Sequence, residues 1–143
     1  LVMTKDPDID YHIDWNLLEE YVYALGFRKL VSSTPETHDQ IIAYTSQLAH
    51  IVSSAYIKSP TMLREEGYSA GSFRDLTRVA RLDEKMWTDL FLRNADYLED
   101  EIEEIINHLI EYRDVLHTND SEKLEKLLKD GRVRKEWSND HVQ

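Results

Sequence analysis

The sequence predicts a mainly helical fold of about five helices, preceded by a short strand–helix–strand unit. Three observations support this fold class. The chain of 143 residues contains four Gly and three Pro, the two residue types that most strongly disfavour helix interiors. From residue 34 onward, apolar residues recur at helical spacing. Before that point, two short apolar runs flank a single amphipathic segment.

Residues 1–33 are predicted to form a strand, a helix and a second strand. Residues 1–4 predict a short strand, and Asp14 is placed to cap a helix that Gly26 ends. The letters FRKLVSS then predict a second strand. One helix and two strands cannot cover both faces of a sheet. We therefore expect this unit to form the edge of a larger sheet, to which residues before Leu1 contribute.

A long helix is predicted from Thr34 to about Lys58. Thr34 is a favourable cap, and Pro35 suits the first helical position. Apolar side chains cover most of the circumference of this helix, which is typical of a helix buried in a protein core. They are Ile41, Ile42, Leu48, Ala49, Ile51, Val52, Ala55 and Tyr56.

Later in the chain, three capping residues and one heptad pattern predict the remaining helices. Ser72 and Asp75 have the spacing of a capping box, Asp83 is placed to cap the next helix, and Ser121 is placed to cap the last. Between them, six apolar residues at alternating spacings of four and three form a heptad seam. They are Leu98, Ile102, Ile105, Leu109, Tyr112 and Leu116.

The composition excludes several classes of function. Against 28 Asp and Glu stand 17 Lys and Arg, for a formal net charge of −11, which disfavours nucleic acids and anionic membranes as partners. The absence of cysteine excludes disulfides, thiolate nucleophiles and cysteine-bound zinc. It also permits a reducing compartment. No apolar run is long enough for a transmembrane helix. We therefore expect a cytoplasmic protein.

Three arginines stand out in this acidic chain. Arg74, Arg78 and Arg81 are spaced i, i+4 and i+7, which is one face of a continuous helix. A guanidinium group binds carboxylates through a bidentate fork, so this face is a candidate anion site. An ordinary exposed stripe, with Asp75 paired to Arg78, explains the same spacing. The residues alone leave both interpretations open.

His50 and an acidic run are the other candidates. A buried neutral imidazole needs hydrogen-bond partners, so His50 is either a structural residue or part of a pocket. The run DYLEDEIEE carries six carboxylates between Asp96 and Glu104. It lacks the Glu-x-x-His pairs of di-iron bundles, and we interpret it as a solvated helix face without a metal. No phosphate-binding loop, dinucleotide fingerprint or nucleophile elbow is present, so no complete catalytic apparatus is predicted.

Four stretches, in the order TPETHD, TSQLAH, AGSFRDLTRVA and MWTDLFLRN, resemble the C-terminal helical domain of prephenate dehydrogenases. That family makes 4-hydroxyphenylpyruvate from prephenate by NAD-dependent oxidative decarboxylation, on the route to tyrosine. The resemblance covers residues 27 to about 117. It implies that residues 1–33 are the C-terminal edge of a dinucleotide-binding α/β domain. Residues 34–143 would then form the dimerisation and substrate-binding domain.

The resemblance also implies roles for individual residues. Arg78 matches the arginine that binds a carboxylate of prephenate, and His50 matches a histidine that lines the substrate pocket. Gly71 and Trp87 match positions beside that pocket. The catalytic histidine of the family is expected upstream, so no catalytic residue is predicted in this chain.

A further group of positions is implied to lie at the domain boundary or behind the pocket. They are His38, Asp39, Ser46 and Gln47. Where the family usually reads S-H-L-P-H, this chain reads SQLAH, so an amide replaces one pocket-side imidazole. The triple glycine of the family is likewise replaced here by the letters AGS.

Partners and cofactor follow from the same resemblance. It implies a homodimer, a dianionic substrate, and NAD or NADP bound mainly by an upstream domain. The chain alone is expected to hold no cofactor and to be inactive. The alternative is a stand-alone helical dimer, a binding or regulatory module without catalysis, and the two differ in whether Arg78 holds a ligand. A carboxylate metalloprotein is a weaker third possibility.

Overall fold

The computed structural model describes residues 1–68 and 70–141. The chain divides into two compact units, Leu1–Glu101 and Ile102–Gln143. The first unit opens with strand β1 (Val2–Thr4), helix α1 (Trp15–Ala24) and strand β2 (Val31–Ser33). The two strands pair in parallel. The predicted strand–helix–strand unit is therefore confirmed.

Local caps explain where α1 begins and ends. The carboxylate of Asp14 accepts hydrogen bonds from the backbone N–H groups of Asn16 and Leu17. Gly26 follows the helix at φ +92°, a left-handed conformation that favours glycine. Strand β2 is shorter than the predicted FRKLVSS, since only Val31, Ser32 and Ser33 pair with β1.

The predicted long helix consists of three consecutive parts, α2 (Pro35–Ile42), a π-helical segment (Ala43–Leu48) and α3 (Ala49–Tyr56). Thr34 caps it as predicted, its hydroxyl oxygen accepting from the N–H of Thr37 at 3.2 Å. The sequence predicted an uninterrupted α-helix. That prediction is wrong for Ala43–Leu48, where the turns are the wider turns of a π-helix. Its apolar positions are also buried on one side only, since Ile41, Tyr44 and Tyr56 are exposed.

The arginine-bearing helix is shorter than predicted. After a 3₁₀ turn at Pro60–Arg64, α4 spans Gly71–Thr77, with Ala70 at its N-cap and no side chain capping it. The capping box at Ser72 is therefore wrong, because that residue already lies inside the helix. Since α4 ends at Thr77, Arg78 occupies its C-cap and Arg81 lies beyond it. The three arginines do not share one helical face.

The last three helices follow the predicted pattern with one change of cap. Helix α5 (Glu84–Arg93) is capped by Asp83, and α6 (Ala95–Thr118) is continuous along the heptad seam. Helix α7 (Ser121–His141) is capped by Asp120, which accepts from the N–H of Lys123, and not by Ser121. The left-handed φ of +52° at Asn119 ends α6 and turns the chain. Helix α7 therefore begins one residue earlier than predicted, and its cap is Asp120.

Apolar side chains on α6 and α7 are poorly covered within one copy of the chain. In the seam, Leu98 is buried, but Leu109 and Leu116 are 60% and 64% exposed. Helix α7 contains no buried residue. Within residues 1–68 and 70–141, no helix combines the length and apolarity needed to cross a membrane.

Candidate functional site

His50 and Trp87 form the centre of the candidate site. His50 lies on α3 and Trp87 on α5, and their ring centroids are 4.0 Å apart at an interplanar angle of 31°. The Nδ1 of His50 is 2.8 Å from the carbonyl oxygen of Ser46. Because a carbonyl oxygen only accepts, Nδ1 carries a proton and donates, and of the two neutral tautomers this bond selects the one in which Nε2 is the acceptor. This bond fixes the orientation of the half-buried imidazole.

A cavity of about 300 Å³ adjoins this pair. Trp87 lines it and also packs against Phe91, at 5.2 Å between ring centroids. The complete lining is Ser54, Ala80, Leu82, Glu84, Trp87, Thr88 and Phe91. His50 is not one of the lining residues, and its imidazole is connected to the cavity through its stacking on Trp87. An apolar, aromatic wall with a few polar groups is typical of sites for small molecules.

Behind the histidine, a buried amide network joins the long helix to α5. Gln47 Nε2 donates to the carbonyl oxygen of Leu90 at 3.2 Å. Asn94 Nδ2 donates to Gln47 Oε1 at 2.8 Å and to the carbonyl oxygen of Asp39 at 2.9 Å. Gln47 and Asn94 are both buried, so each needs these partners.

Asn94 is the residue that sequence reasoning missed. It is the last residue of the stretch MWTDLFLRN, and it caps α5 at its C-terminal end. The available signal was Gln47 itself, because an amide on the apolar side of a helix requires a polar partner elsewhere in the chain. Nothing in the local pattern indicated which residue that partner is.

The π segment carries both Ser46 and Gln47. Short π segments inside α-helices occur frequently at functional sites. Here the segment separates Asp39, on α2, from His50, on α3. The wider turns therefore adjust the orientation of His50 relative to the helix start.

His38 and Asp39 form a local pair. His38 Nδ1 lies 2.9 Å from Asp39 Oδ1. Asp39 is also connected to the site through its backbone, which accepts the hydrogen bond from Asn94. The structure thus links Asp39, Gln47, Asn94 and α5 in one network.

Arg78 lies at the end of α4, which packs on α3 through Tyr56 and Phe73, whose ring centroids are 6.1 Å apart. The arginine is exposed, and no ion pair or hydrogen bond reaches its side chain from the described part of the chain. It precedes the cavity-lining Ala80 by two residues.

Gly71 is the first residue of α4, and a Cβ added there would meet nothing within 4 Å. Its backbone therefore does not exclude a larger side chain. Across residues 1–68 and 70–141, no hydrogen bond or ion pair joins Gly71 or Arg78 to His50 or Trp87.

Outside the cavity, α5 carries an exposed ion pair. Arg93 Nε donates to Asp89 Oδ2 at 2.8 Å, and this hydrogen bond, aided by the positive charge of Arg93, lowers the pKa of Asp89 below its usual range. The same contact raises the pKa of Arg93. Exposed pairs of this kind contribute little to stability. No group of three or more His, Asp or Glu side chains suited to a metal ion is found in the described ranges.

The fold and the cavity define a helical domain with a cavity that Trp87 and Phe91 line. A family model described as "prephenate dehydrogenase, dimerization domain" matches residues 34–130. The chain belongs to this family. The match confirms the resemblance seen in the sequence.

Relatives and solved structures agree with this membership. A cyclohexadienyl dehydrogenase of Zymomonas mobilis is 34% identical over 115 residues, 75% of this chain and 38% of the relative. A prephenate dehydrogenase of Bacillus subtilis is 31% identical over 107 residues, 69% of this chain and 28% of the relative. The chain thus spans between 28% and 38% of the length of these two curated relatives.

Among solved structures, Synechocystis arogenate dehydrogenase superposes with a TM-score of 0.79 at 24% identity, over 94% of this chain and 50% of that one. An Aquifex aeolicus prephenate dehydrogenase in complex with hydroxyphenyl propionate and NAD⁺ gives 0.78 at 25% identity, over 94% and 48%. The predicted fold class, a helical domain after a strand–helix–strand unit, is confirmed.

Proposed function

We propose that this chain supplies the dimer interface and the substrate-carboxylate site of an NAD-dependent dehydrogenase that acts on prephenate. The reaction is the oxidative decarboxylation of prephenate to 4-hydroxyphenylpyruvate, in tyrosine biosynthesis. Family membership over residues 34–130 supports the assignment. A cytoplasmic location is part of the same proposal.

The observation that carries the proposal is the stacked pair of His50 and Trp87, of which Trp87 lines the cavity. Prephenate has a flat, unsaturated ring with two carboxylates, so its site needs an apolar wall, a hydrogen-bonding group and a positive charge. Trp87 and Phe91 supply the wall. His50, oriented by its hydrogen bond to the carbonyl oxygen of Ser46, supplies the hydrogen-bonding group.

Arg78 supplies the positive charge in this proposal. Its guanidinium is exposed at the end of α4, and it has no ion-pair partner in residues 1–68 and 70–141. A carboxylate can therefore bind without first displacing an internal partner. A charge-assisted hydrogen bond of this kind contributes about 1.5–3 kcal/mol. Gly71, at the other end of α4, belongs to the same side of the proposed pocket.

The cofactor is assigned mainly to residues outside this chain. NAD accepts the hydride from the substrate ring when it is bound. The chain lacks a glycine-rich dinucleotide fingerprint. Its parallel β1–α1–β2 unit is the kind of element that forms the edge of a dinucleotide-binding sheet. The start of the family match at residue 34 supports a domain boundary near residue 33.

The homodimer rests on the uncovered surfaces of α6 and α7. Leu109 and Leu116 leave the heptad seam open in a single copy, and α7 buries none of its residues. Most of the stability of a helix in a protein comes from packing one of its faces, and α7 lacks such packing within one copy. A second copy would supply the missing cover.

The direct test is an NAD-reduction assay on the protein translated from the complete reading frame, with this chain alone as the control. We expect prephenate-dependent NADH formation by the former and none by the latter. Arogenate and NADP are assayed in parallel to define substrate and cofactor. Turnover by this chain alone would contradict the assignment of catalysis to other residues. A dimer that turns over none of these substrates would support a binding module.

A further inference from the structure

Helix α5 contacts the long helix at two places, about one helical turn apart. At one place the ring of His50 stacks on that of Trp87. At the other, Gln47 Nε2 donates to the carbonyl oxygen of Leu90 at 3.2 Å. Gln47 precedes His50 by three residues, and Leu90 follows Trp87 by three, which makes them neighbours on each helix. The hydrogen bond and the ring contact are therefore adjacent parts of one interface.

The carbonyl oxygen of Leu90 needs a donor from outside α5. In a continuous α-helix it would accept from the backbone N–H of Asn94. The backbone of Asn94 leaves the helical conformation, with φ −123°, and its N–H bonds instead to the carbonyl oxygen of Phe91 at 3.2 Å. The last carbonyls of a helix lack partners within it. The side-chain amide of Gln47 supplies the donor and so ties the end of α5 to the π segment.

Asn94 completes the connection between the two helices. Its Nδ2 donates to Gln47 Oε1 at 2.8 Å and to the carbonyl oxygen of Asp39 at 2.9 Å. Gln47 therefore donates with one end of its amide and accepts with the other. Both amides are buried, where an unpaired polar group is costly. A slip of α5 by one residue would break all three bonds, so the network selects one register for the ring contact.

We propose that Gln47 and Asn94 are positioning residues of the candidate site, which act on the ligand through His50 and Trp87. The amide network sets the register in which the two rings meet, and that register sets the direction of His50 Nε2. Among the described residues, neither amide belongs to the cavity lining, so both act indirectly. The inference deepens the proposed function and rests on it for the identity of the ligand, prephenate.

The network requires one donor and one acceptor from the side chain at position 47. The amide of Gln47 offers both at every pH. A neutral imidazole also offers both, but an imidazolium only donates, and one of its N–H groups would then face the amide N–H of Asn94. A protonated carboxyl group offers both, but a carboxylate only accepts and would face the carbonyl oxygen of Leu90. Histidine and glutamate at this position should respond to pH in opposite directions.

The sign of each response follows from the pKa of the introduced group. In Gln47→His, burial and the facing N–H lower the pKa of the imidazole on folding. The alignment of the rings is then kept above the ordinary value of about 6.5 and lost as the pH falls. In Gln47→Glu, burial and the facing carbonyl raise the pKa of the carboxyl group. The alignment is then kept at low pH and lost as the pH rises.

Nuclear magnetic resonance of labelled histidine measures the alignment directly, in the protein translated from the complete reading frame. The ring current of Trp87 displaces the resonances of the carbon-bound ring protons of His50, since the two rings are stacked. His50→Asn assigns these resonances by their absence. Between about pH 5 and pH 8.5, a range that includes the ordinary pKa of histidine, we expect the displacement to be lost toward low pH in Gln47→His. In Gln47→Glu it should be lost toward high pH.

Steady-state kinetics over the same range measure the effect on the ligand. Where the alignment is lost, the KM for prephenate should rise about tenfold or more with little change in kcat, because the network positions a binding group. Each variant is compared with the wild type at the same pH, so the titration of His38, Asp39 and His50 is common to both. The matched controls are Gln40→His and Gln40→Glu, at an exposed position of α2.

Asn94→Asp tests the second amide. At neutral pH its carboxylate lacks the donors that reach Gln47 and the carbonyl of Asp39. We expect it to displace the His50 resonances and raise KM at high pH, as Gln47→Glu does. Asn16→Asp, at an exposed position of α1, is the control for the added charge.

Three outcomes are distinguishable once thermal unfolding is recorded beside the two measurements. Opposite pH responses of the His50 resonances and of KM support the inference. A change in stability alone, with resonances and KM like those of the wild type wherever the variants are folded, makes the amides purely structural and overturns it. Opposite responses of the resonances, without turnover of prephenate by the wild type, support the positioning of His50 and overturn only the proposed function.

Discussion

The side-chain amides of Gln47 and Asn94 are joined by a buried hydrogen bond of 2.8 Å, across 47 positions of sequence. The bond connects the π segment to the end of α5. Asn94 uses its second amide hydrogen on the carbonyl of Asp39, and Gln47 uses its own amide on the carbonyl of Leu90. Because His50 follows Gln47 by three residues and Trp87 precedes Asn94 by seven, this network supports the geometry of the His50–Trp87 pair.

Replacing Gln47 with leucine should therefore destabilise the fold. Gln47→Leu leaves one amide hydrogen of Asn94 and the carbonyl of Leu90 without partners in a buried place, at a cost of about 1–3 kcal/mol. Urea denaturation measures the loss in the free energy of unfolding. The matched control is Gln40→Leu, at an exposed position of α2. Equal stability of the two variants would show that the network contributes nothing.

The coupling between the two amides can be measured separately. The double variant Gln47→Leu, Asn94→Leu removes both partners of the 2.8 Å bond. We expect it to be more stable than the sum of the single losses predicts, by about 1 kcal/mol, because neither amide is then left unpaired. If the loss in the free energy of unfolding of the double variant equals the sum of the two single losses, the bond between the two amides contributes no energy of its own.

Two substitutions of His50 should separate its structural role from its proposed contact with substrate. Asn retains a donor near the position of Nδ1, and Gln retains a polar group near that of Nε2. His50→Asn should preserve the bond to Ser46 and hence stability, but weaken substrate binding. His50→Gln should show the reverse.

Both variants are made in the protein translated from the complete reading frame. Calorimetry measures the affinity for prephenate, and thermal unfolding measures the stability. Binding by His50→Asn as tight as that of the wild type would remove Nε2 from the proposed site.

Substitution of Arg78 tests the proposed carboxylate site. Arg78→Ala should weaken prephenate binding by about 10- to 150-fold, which corresponds to the loss of a charge-assisted bond. The mass of the dimer should not change. Arg81→Ala is the matched control, since Arg81 is also exposed but lies beyond α4. Titration calorimetry on the full reading-frame protein makes the comparison, and equal affinities for both variants would exclude Arg78 from the site.

The heptad seam should determine the oligomeric state. Leu109→Glu with Leu116→Glu places two charges on exposed seam positions, and burying them between copies is costly. We expect light scattering to show dimers of the wild type at micromolar concentration and monomers of the variant. Leu63→Glu, at an 81% exposed position in the 3₁₀ turn, is the control. A dimeric double variant would place the interface elsewhere.

Much of the fold could be predicted because its determinants are local. Asp14, Thr34 and Asp83 cap their helices within three residues of the cap, and the seam of α6 repeats along one element. The two wrong predictions of helix caps also concern local interactions. Ser72 and Ser121 have the composition of caps, but neighbouring backbone conformations move each helix start to an earlier residue.

The candidate site was predicted only in part. His50 and Trp87 were identified through the resemblance, and the structure brings their rings together. Arg78 and Gly71 were identified in the same way, but their place in the pocket stays a prediction. Asn94 could not be found, because nothing near it in sequence requires a buried amide; that requirement comes from Gln47.

The sequence by itself therefore determined the helical class, the succession of its elements and the family to which the chain belongs. These properties depend on spacing, caps and motifs, which act over a few residues. Only the tertiary structure decided that the long helix widens into a π segment, that α4 stops before Arg78, and that Gln47 pairs with Asn94. Such features depend on how one helix packs against another, and that packing is a property of contacts between residues far apart in the chain.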